Sequence, residues 1–154
     1  KALNAGVLAL TVVAGGARDF FKGDKLDAKR VAEHKIDSHH IFPKAYLSGK
    51  VDGRGQPLNP ELILHRALID PKTNKDISSK APSEYFQKLR EGLTHEGLIK
   101  VLESQLIDAD EEGDPIWHDD YPAFLSRRLE DVVAAIETAT GKNVAREDDE
   151  PGGM

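Results

Sequence analysis

KIDSHHIFPKAYL, residues Lys35 to Leu47, is the stretch from which the fold is read. A short apolar–polar alternation runs into two adjacent histidines, His39 and His40, and Pro43 stops it because proline has no N–H to give a ladder. The pattern predicts a strand over Ile36 to Phe42, followed by one helical turn over Lys44 to Ser48. A second apolar run, Leu62 to Ile69, predicts a partner strand closed by the Asp70-Pro71 turn signal. Between them, GKVDGRGQPLNP (residues 49–60) carries three Gly and two Pro and reads as a surface loop. Pro71 to Ser79 then reads as a short helix that carries Asn74 and opens with proline near its first position.

Working outward, the chain reads as mostly helical. Ala2 to Ala14 predicts a helix that is apolar nearly all round, ended by Gly15-Gly16 and suited to burial against the rest of the domain or a partner domain. Ala17 to Gly23 reads as a connector with Phe20 and Phe21 as anchors, and Asp27 to His34 as a short amphipathic helix. Downstream, helices are predicted over Ser83 to Leu93 and Thr94 to Ile107. The second of these starts at Thr94 with Gly97 three residues on, so a full capping box is missing. The last, Pro122 to Thr140, presents Phe124, Leu125, Leu129, Val132, Val133 and Ile136 at helical spacing and stops at Gly141. Residues 144 to 154 form a charged, Gly/Pro-rich tail expected to be disordered.

The 154 residues make one domain with room for a core. Cysteine is absent, which excludes disulfides and thiolate zinc sites. The apolar run near the start is about ten residues, too short to cross a bilayer. The chain begins with Lys, so a domain taken from a longer cytoplasmic, bacterial protein is expected. The net charge of −6 argues against nucleic acid, but it is unevenly spread. Residues 1–102 hold 17 Lys+Arg against 12 Asp+Glu, and residues 103–154 hold 4 against 15. The motifs thus lie in the mildly basic part, which permits a polyanionic substrate.

Strand with paired histidines, loop, strand, and a helix with a further ligand-type side chain is the plan of a ββα-metal nuclease. Phosphodiester hydrolysis at neutral pH needs a base for the attacking water and a cation at the phosphate and leaving oxygen. Neutral imidazole suits the first task; a divalent ion with few protein ligands and an open shell suits the second. His40 is the expected base, His39 and Asn74 the expected metal ligands. Lys44, Arg66 and Lys75 are the cations available to hold phosphates. Successive residues of a regular strand point to opposite faces, so this assignment requires the strand to end or bend at the histidine pair. Taken singly, the features have blander readings: a structural His pair, Asn74 as a helix-start residue, His34, His95 and His118 as surface residues, Tyr85 and Phe86 as core. Trp117 reads as an anchor of the acidic loop or as a contact for a partner domain. Asp108, Asp110, Glu112 and Asp114 have a spacing similar to a calcium loop but lack its sixth-position Gly, and read as a solvated turn.

The combination of His39-His40-Ile41-Phe42-Pro43-Lys44, Thr73-Asn74-Lys75 and Ala81-Pro82-Ser83-Glu84-Tyr85 resembles the HNH-type (His-Me finger) nuclease domain of GmrSD-like restriction enzymes. The resemblance extends to Gly16-Ala17-Arg18-Asp19-Phe20 and to the helix with Phe124 and Arg127, and so covers nearly the whole chain. Ssp-type phosphorothioation-linked phage-defence nucleases are related. The resemblance implies an α+β fold, mostly helical around a ββα-metal hairpin, over residues 1–143. It implies a DNA-cleaving or nicking endonuclease that uses an ion of the Mg²⁺ class (Mn²⁺ as alternative) and works beside an N-terminal NTPase-like, ParB-like domain, away from membranes. His40 matches its general base, His39 the preceding ligand position and Asn74 the last position of the triplet. The middle position, usually an Asn that braces the hairpin by side-chain hydrogen bonds, falls on His65, a departure from the family; His65 reads either as that brace or as an ordinary strand residue. Alternatives are an RNase or toxin-type nuclease with the same finger, and a degenerate module that only binds DNA or a partner.

Overall fold

In the computed structural model, residues 16–20, 22–26, 29, 37–69 and 71–145 are described. The expected helix Ala2 to Ala14, nearly all of Asp27 to His34, and the tail beyond residue 145 lie outside them. The described residues form an α+β arrangement in which helices surround one two-stranded antiparallel sheet.

The first strand, β1 (Asp37–His40), pairs with β2 (Arg66–Ile69), with His39 opposite Ala67 and His40 opposite Arg66. Both strands are shorter than the apolar runs predict. Ile41 and Phe42, consecutive and both fully buried, already lie in a bend. The backbone leaves the ladder after His40. Ile41 N–H makes a last bond to the His65 carbonyl (2.8 Å), while the Ile41 carbonyl accepts from the Tyr85 hydroxyl (2.8 Å). On the other side, Ile63–His65 forms a 3₁₀ turn instead of extended strand. A helical turn, α1 (Lys44–Leu47), follows Pro43, and a Val51–Pro57 bridge narrows the intervening loop.

Two strands cannot satisfy their own backbone. In this register the N–H and C=O groups of Arg66 and Leu68 point away from β1. Side chains take the place of a third strand. Gln105 Nε2 donates to the Leu68 carbonyl (2.7 Å), and its Oε1 accepts from Leu68 N–H (3.2 Å). Arg128 Nη2 donates to the Arg66 carbonyl (2.8 Å) and to the Gln105 carbonyl (3.0 Å).

These two side chains arrive from helix ends and faces that the sequence builds for the purpose. β2 is followed by α2 (Pro71–Ile77), α3 (Pro82–Gly92) and α4 (His95–Glu103). Thr94 caps α4 by accepting from Gly97 N–H (3.1 Å); a Cβ at Gly97 would sit 3.2 Å from the Thr94 hydroxyl, so glycine at this position lets the cap close. α4 ends four residues earlier than predicted. Leu106 takes the left-handed conformation (φ 57°), Ile107 N–H returns to the Leu102 carbonyl (3.0 Å), and Leu106 N–H bonds the Glu103 carbonyl (2.9 Å). This turn swings Gln105 inward onto β2. The long helix α5 (Tyr121–Thr140) starts on Asp120, whose Oδ1 accepts from Ala123 N–H (3.1 Å), and stops at Gly141 (φ 65°). Its buried stripe is Tyr121, Phe124, Arg128 and Val132. Leu129, expected inside, is 49% exposed, and Arg128 takes the interior place beside it because the carbonyls of Arg66 and Gln105 need donors.

The core is one cluster built from Ile41, Phe42, Ile69, Tyr85, Phe86, Leu98, Leu102, Ile116 and Phe124, among others. The connector docks on it through Phe20, which is fully buried. Arg18 N–H donates to Ser104 Oγ (2.9 Å), and buried Asp19 accepts from the Thr73 hydroxyl (3.3 Å), tying the connector to the helix that carries Asn74. Trp117 sits in a 3₁₀ turn, Pro115–His118, and anchors the acidic loop by donating from Nε1 to the Ala109 carbonyl (3.2 Å).

The edge-sealing account predicts an inversion of the usual stability order. Gln105→Ala leaves both Leu68 backbone groups unpaired and is expected to cost on the order of 2–4 kcal/mol. Leu129→Ala, a larger apolar truncation by type but at an exposed position, is expected to cost under about 0.5 kcal/mol. Urea unfolding midpoints of the two variants check this; an equal or reversed loss would show that the edge is not held by Gln105.

Candidate functional site

The end of β1 and the start of β2 bring four of the expected residues together. His40 is half-buried, and its ring lies edge-on to that of fully buried His65, with centroids 4.9 Å apart. His65 also meets the Tyr121 ring at 5.2 Å. Its Nε2–H donates to the Pro60 carbonyl (2.6 Å); a carbonyl only accepts, so the hydrogen sits on Nε2. His65 Nδ1 and His40 Nε2 are buried with no hydrogen-bond partner among the described residues. Nε2 is closed to solvent in this arrangement, which leaves Nδ1 as the candidate nitrogen for proton transfer at His40.

Segment Asn59-Pro60-Glu61 is fixed at three consecutive residues. The Asn59 carbonyl accepts from the Tyr121 hydroxyl (2.6 Å), the Pro60 carbonyl from His65, and Asn59 Oδ1 from Glu61 N–H (2.9 Å). Glu61 thereby stands between two cations, in ion pairs with Lys44 Nζ and with Arg66 Nη2 (3.5 Å). Arg66 in turn reaches across the ladder from Nη1 to the Ser38 carbonyl (3.3 Å) and hydroxyl (3.4 Å).

This setting keeps both imidazoles neutral. Burial lowers the pKa of His40, and the charges of Arg66 and Lys44 lower it further, against a smaller opposing pull from Glu61 and the Pro60 carbonyl. Burial is also the main cause for His65, lowered to about 4; the Pro60 carbonyl opposes it, while His40, Arg66 and Arg128 add to the fall. Arg128 itself is brought down to about 9 by burial, opposed by Asp131 and Tyr85. Its Nε and Nη1 have no hydrogen-bond partner among the described residues.

The remaining expected residues are placed less closely. His39 and His40 hold successive register positions, and the bend falls one residue later, at Ile41, so a regular strand sends the two side chains to opposite faces. Asn74 is half-buried on α2 and Lys75 exposed there. Neither makes a hydrogen bond or ion pair with His40, Lys44, His65 or Arg66 among the described residues. The donor set of His39 and Asn74, one imidazole and one amide, is too sparse for a structural zinc site. Residues of these two types would suit an ion that keeps most of its waters, but no described contact brings His39 and Asn74 together.

Asp108, Asp110 and Asp114 do offer carboxylate oxygens within 4.8 Å of one another. Two of the three are already engaged: Asp108 with Arg127 Nε (2.6 Å), and Asp114 Oδ2 with Glu111 N–H (3.0 Å). Tyr85 and Phe86 are in the core, and His95 and His118 are exposed. Glu61 is the site residue that sequence reading missed; its signal is Asn59-Pro60, an Asx-turn start that fixes the backbone of the next residue.

No protein-family model matches the chain, and no solved structure matches it. An uncharacterized protein of Methanocaldococcus jannaschii is 36% identical over 83 residues. The match covers 52% of this chain and 12% of the archaeal protein. No helix among the described residues is long and apolar enough to cross a membrane.

The lowered pKa of His65 predicts an acid-sensitive fold. The unfolded chain binds the proton near the ordinary value of 6.5 and the folded one only near 4, so the stabilisation is complete above about pH 6.5 and is lost as pH falls toward 4. His65→Asn, which can still donate to the Pro60 carbonyl, is expected to keep the fold and flatten this part of the profile. His65→Ala is expected to lose on the order of 1–3 kcal/mol at neutral pH. Melting temperatures of the three proteins between pH 4 and 7 check this; parallel profiles for wild type and His65→Asn would remove His65 as the sensitive group.

Proposed function

We propose that this domain is a metal-dependent DNA endonuclease of the HNH, His-Me finger type, the effector part of a larger restriction or anti-phage defence protein. The observation that carries the reading is His40, held neutral at the end of β1 with one nitrogen buried and with Lys44 and Arg66 beside it. A neutral imidazole flanked by cations is what in-line attack on a phosphodiester asks of a protein: a proton acceptor next to anchors for the phosphate oxygens. Strand, loop, strand and helix in the order β1, β2, α2 agree with a ββα-metal hairpin. The archaeal relative supports a modular reading, since the similar segment forms a small part of that much longer chain.

In this mechanism His40 Nδ1 accepts a proton from the attacking water. The ring's orientation is set by its packing against His65, which is itself held by the Pro60 carbonyl. His65 is too deeply buried and too weakly basic to compete for the proton, so its role is bracing rather than chemistry. Lys44 and Arg66 hold the phosphodiester, and Lys75 on α2 adds a cation for flanking phosphates. When bound by His39 and Asn74, a divalent ion of the Mg²⁺ class (or Mn²⁺) supplies charge neutralisation at the phosphate and leaving oxygen.

Relaxation of supercoiled plasmid by this domain tests the proposal. Cleavage is expected with Mg²⁺ or Mn²⁺ and not with EDTA. The melting temperature is expected to be nearly unchanged by EDTA, because an ion with two protein ligands contributes little to the fold. His40→Ala is expected to lower the rate by on the order of 10²-fold or more without changing the circular dichroism spectrum. Metal-dependent binding without cleavage would make the domain a binding module, and preference for single-stranded RNA would make it a ribonuclease.

A further inference from the structure

We propose that Lys44 and Arg66 form a phosphate-binding subsite which the Glu61 carboxylate fills in the free protein, so that a backbone phosphate of the nucleic acid binds by displacing Glu61. The inference rests on the nuclease reading for its natural ligand, but the subsite itself rests on geometry.

The two cations come from opposite ends of the long loop, Lys44 as the first residue of α1 and Arg66 as the first of β2, and converge on one carboxylate. Arg66 is pre-positioned: its side chain is only 20% exposed, and Nη1 is spent on Ser38, which leaves Nη2 facing Glu61. Carboxylate and phosphate are both oxyanions with paired oxygens, and the N–H donors of Lys and Arg bind either. Where a carboxylate sits between Lys and Arg, a phosphate oxygen pair therefore finds the same donors. The backbone of Glu61 is fixed, through Asn59 Oδ1 and the flanking bonds of Asn59 and Pro60, whereas its side chain is 58% exposed. The carboxylate can leave without disturbing the loop.

The balance of energies favours exchange. Exposed ion pairs contribute little to stability and are screened by salt. A polynucleotide binds with release of its counterions, a gain that a single small anion does not offer. Glu61 thus acts as a weak internal competitor. It neutralises one of the two positive charges in the resting protein, discourages stray single anions, and yields to a polyanion beside His40.

Titration with inorganic pyrophosphate at low ionic strength, without divalent ions, tests this directly, followed through the Arg66 Nε–H and His40 ring signals in NMR. Glu61→Gln removes the charge and keeps the shape at an exposed position. It is expected to bind pyrophosphate about three- to tenfold tighter than wild type, with Arg66 Nε–H among the shifted signals. Adding Lys44→Gln to that variant is expected to abolish the gain. Equal affinity of wild type and Glu61→Gln would overturn the proposal, as would a gain that persists without Lys44. The titration involves no nucleic acid and no turnover. Failure of plasmid cleavage would defeat the nuclease reading alone, and unchanged pyrophosphate affinity would defeat the subsite alone.

Discussion

The outer edge of β2 is the constraint on which the rest of the molecule depends. A two-stranded ladder is marginal by itself in water, and its unpaired edge costs free energy once it is buried. Here the edge is buried and closed by side chains, Gln105 from the turn after α4 and Arg128 from the middle of α5. Because Arg128 binds the carbonyl of Arg66, and Arg66 stands opposite His40, the helix that closes the edge also fixes the end of the hairpin where the candidate chemistry lies. A buried guanidinium is a costly device, since two of its nitrogens lack partners among the described residues. Its return is two backbone carbonyls satisfied at one point, which no apolar residue could supply.

From that frame the properties of His40 follow. The ladder stops at His40, and the two residues beyond it, Ile41 and Phe42, turn into the core. The ring is left at the strand's end, against His65 on one side and near Lys44, Arg66 and Glu61. Burial and two cations hold the imidazole neutral, the state a proton acceptor needs. Those same cations favour a phosphate. In the proposed reaction one arrangement of charge would serve both tasks, and Glu61 pairs with both cations in the free protein.

Much of this was legible in the sequence, for identifiable reasons. Turn and cap residues act locally, so Pro43, Asp70-Pro71, Thr94 and Gly141 marked element ends that the structure has within a residue or two. The pairing of the two apolar runs was legible from their separation by a Gly/Pro-rich loop. What was not legible depends on partners distant in the chain. Nothing local distinguishes Arg128 from Leu129 as the interior residue of α5; the choice is made by carbonyls of Arg66 and Gln105. The early stop of α4 turns on Leu106, a residue with no intrinsic preference for a left-handed turn. Of the candidate site, His40 lies against His65, and Lys44 and Arg66 are near it, whereas Lys75, named with them as a cation for phosphates, makes no described contact with the group. His39 and Asn74 rest on the motif, because strand alternation and helix position do not by themselves bring them together. Glu61 was invisible because an acid between two bases is unremarkable until a fixed loop aims it.

In the proposed reaction His40 accepts the proton of the water that attacks the phosphodiester. The most direct measurement compares two titrations: the His40 ring signals by NMR, and the pH dependence of single-turnover DNA cleavage with Mg²⁺. Burial, Arg66 and Lys44 lower the His40 pKa, so both midpoints are predicted to lie below the ordinary 6.5 and to coincide, with cleavage rising with pH as the ring becomes neutral. A cleavage profile whose midpoint does not follow that of His40, or a rate that falls as the ring loses its proton, would exclude His40 as the proton acceptor.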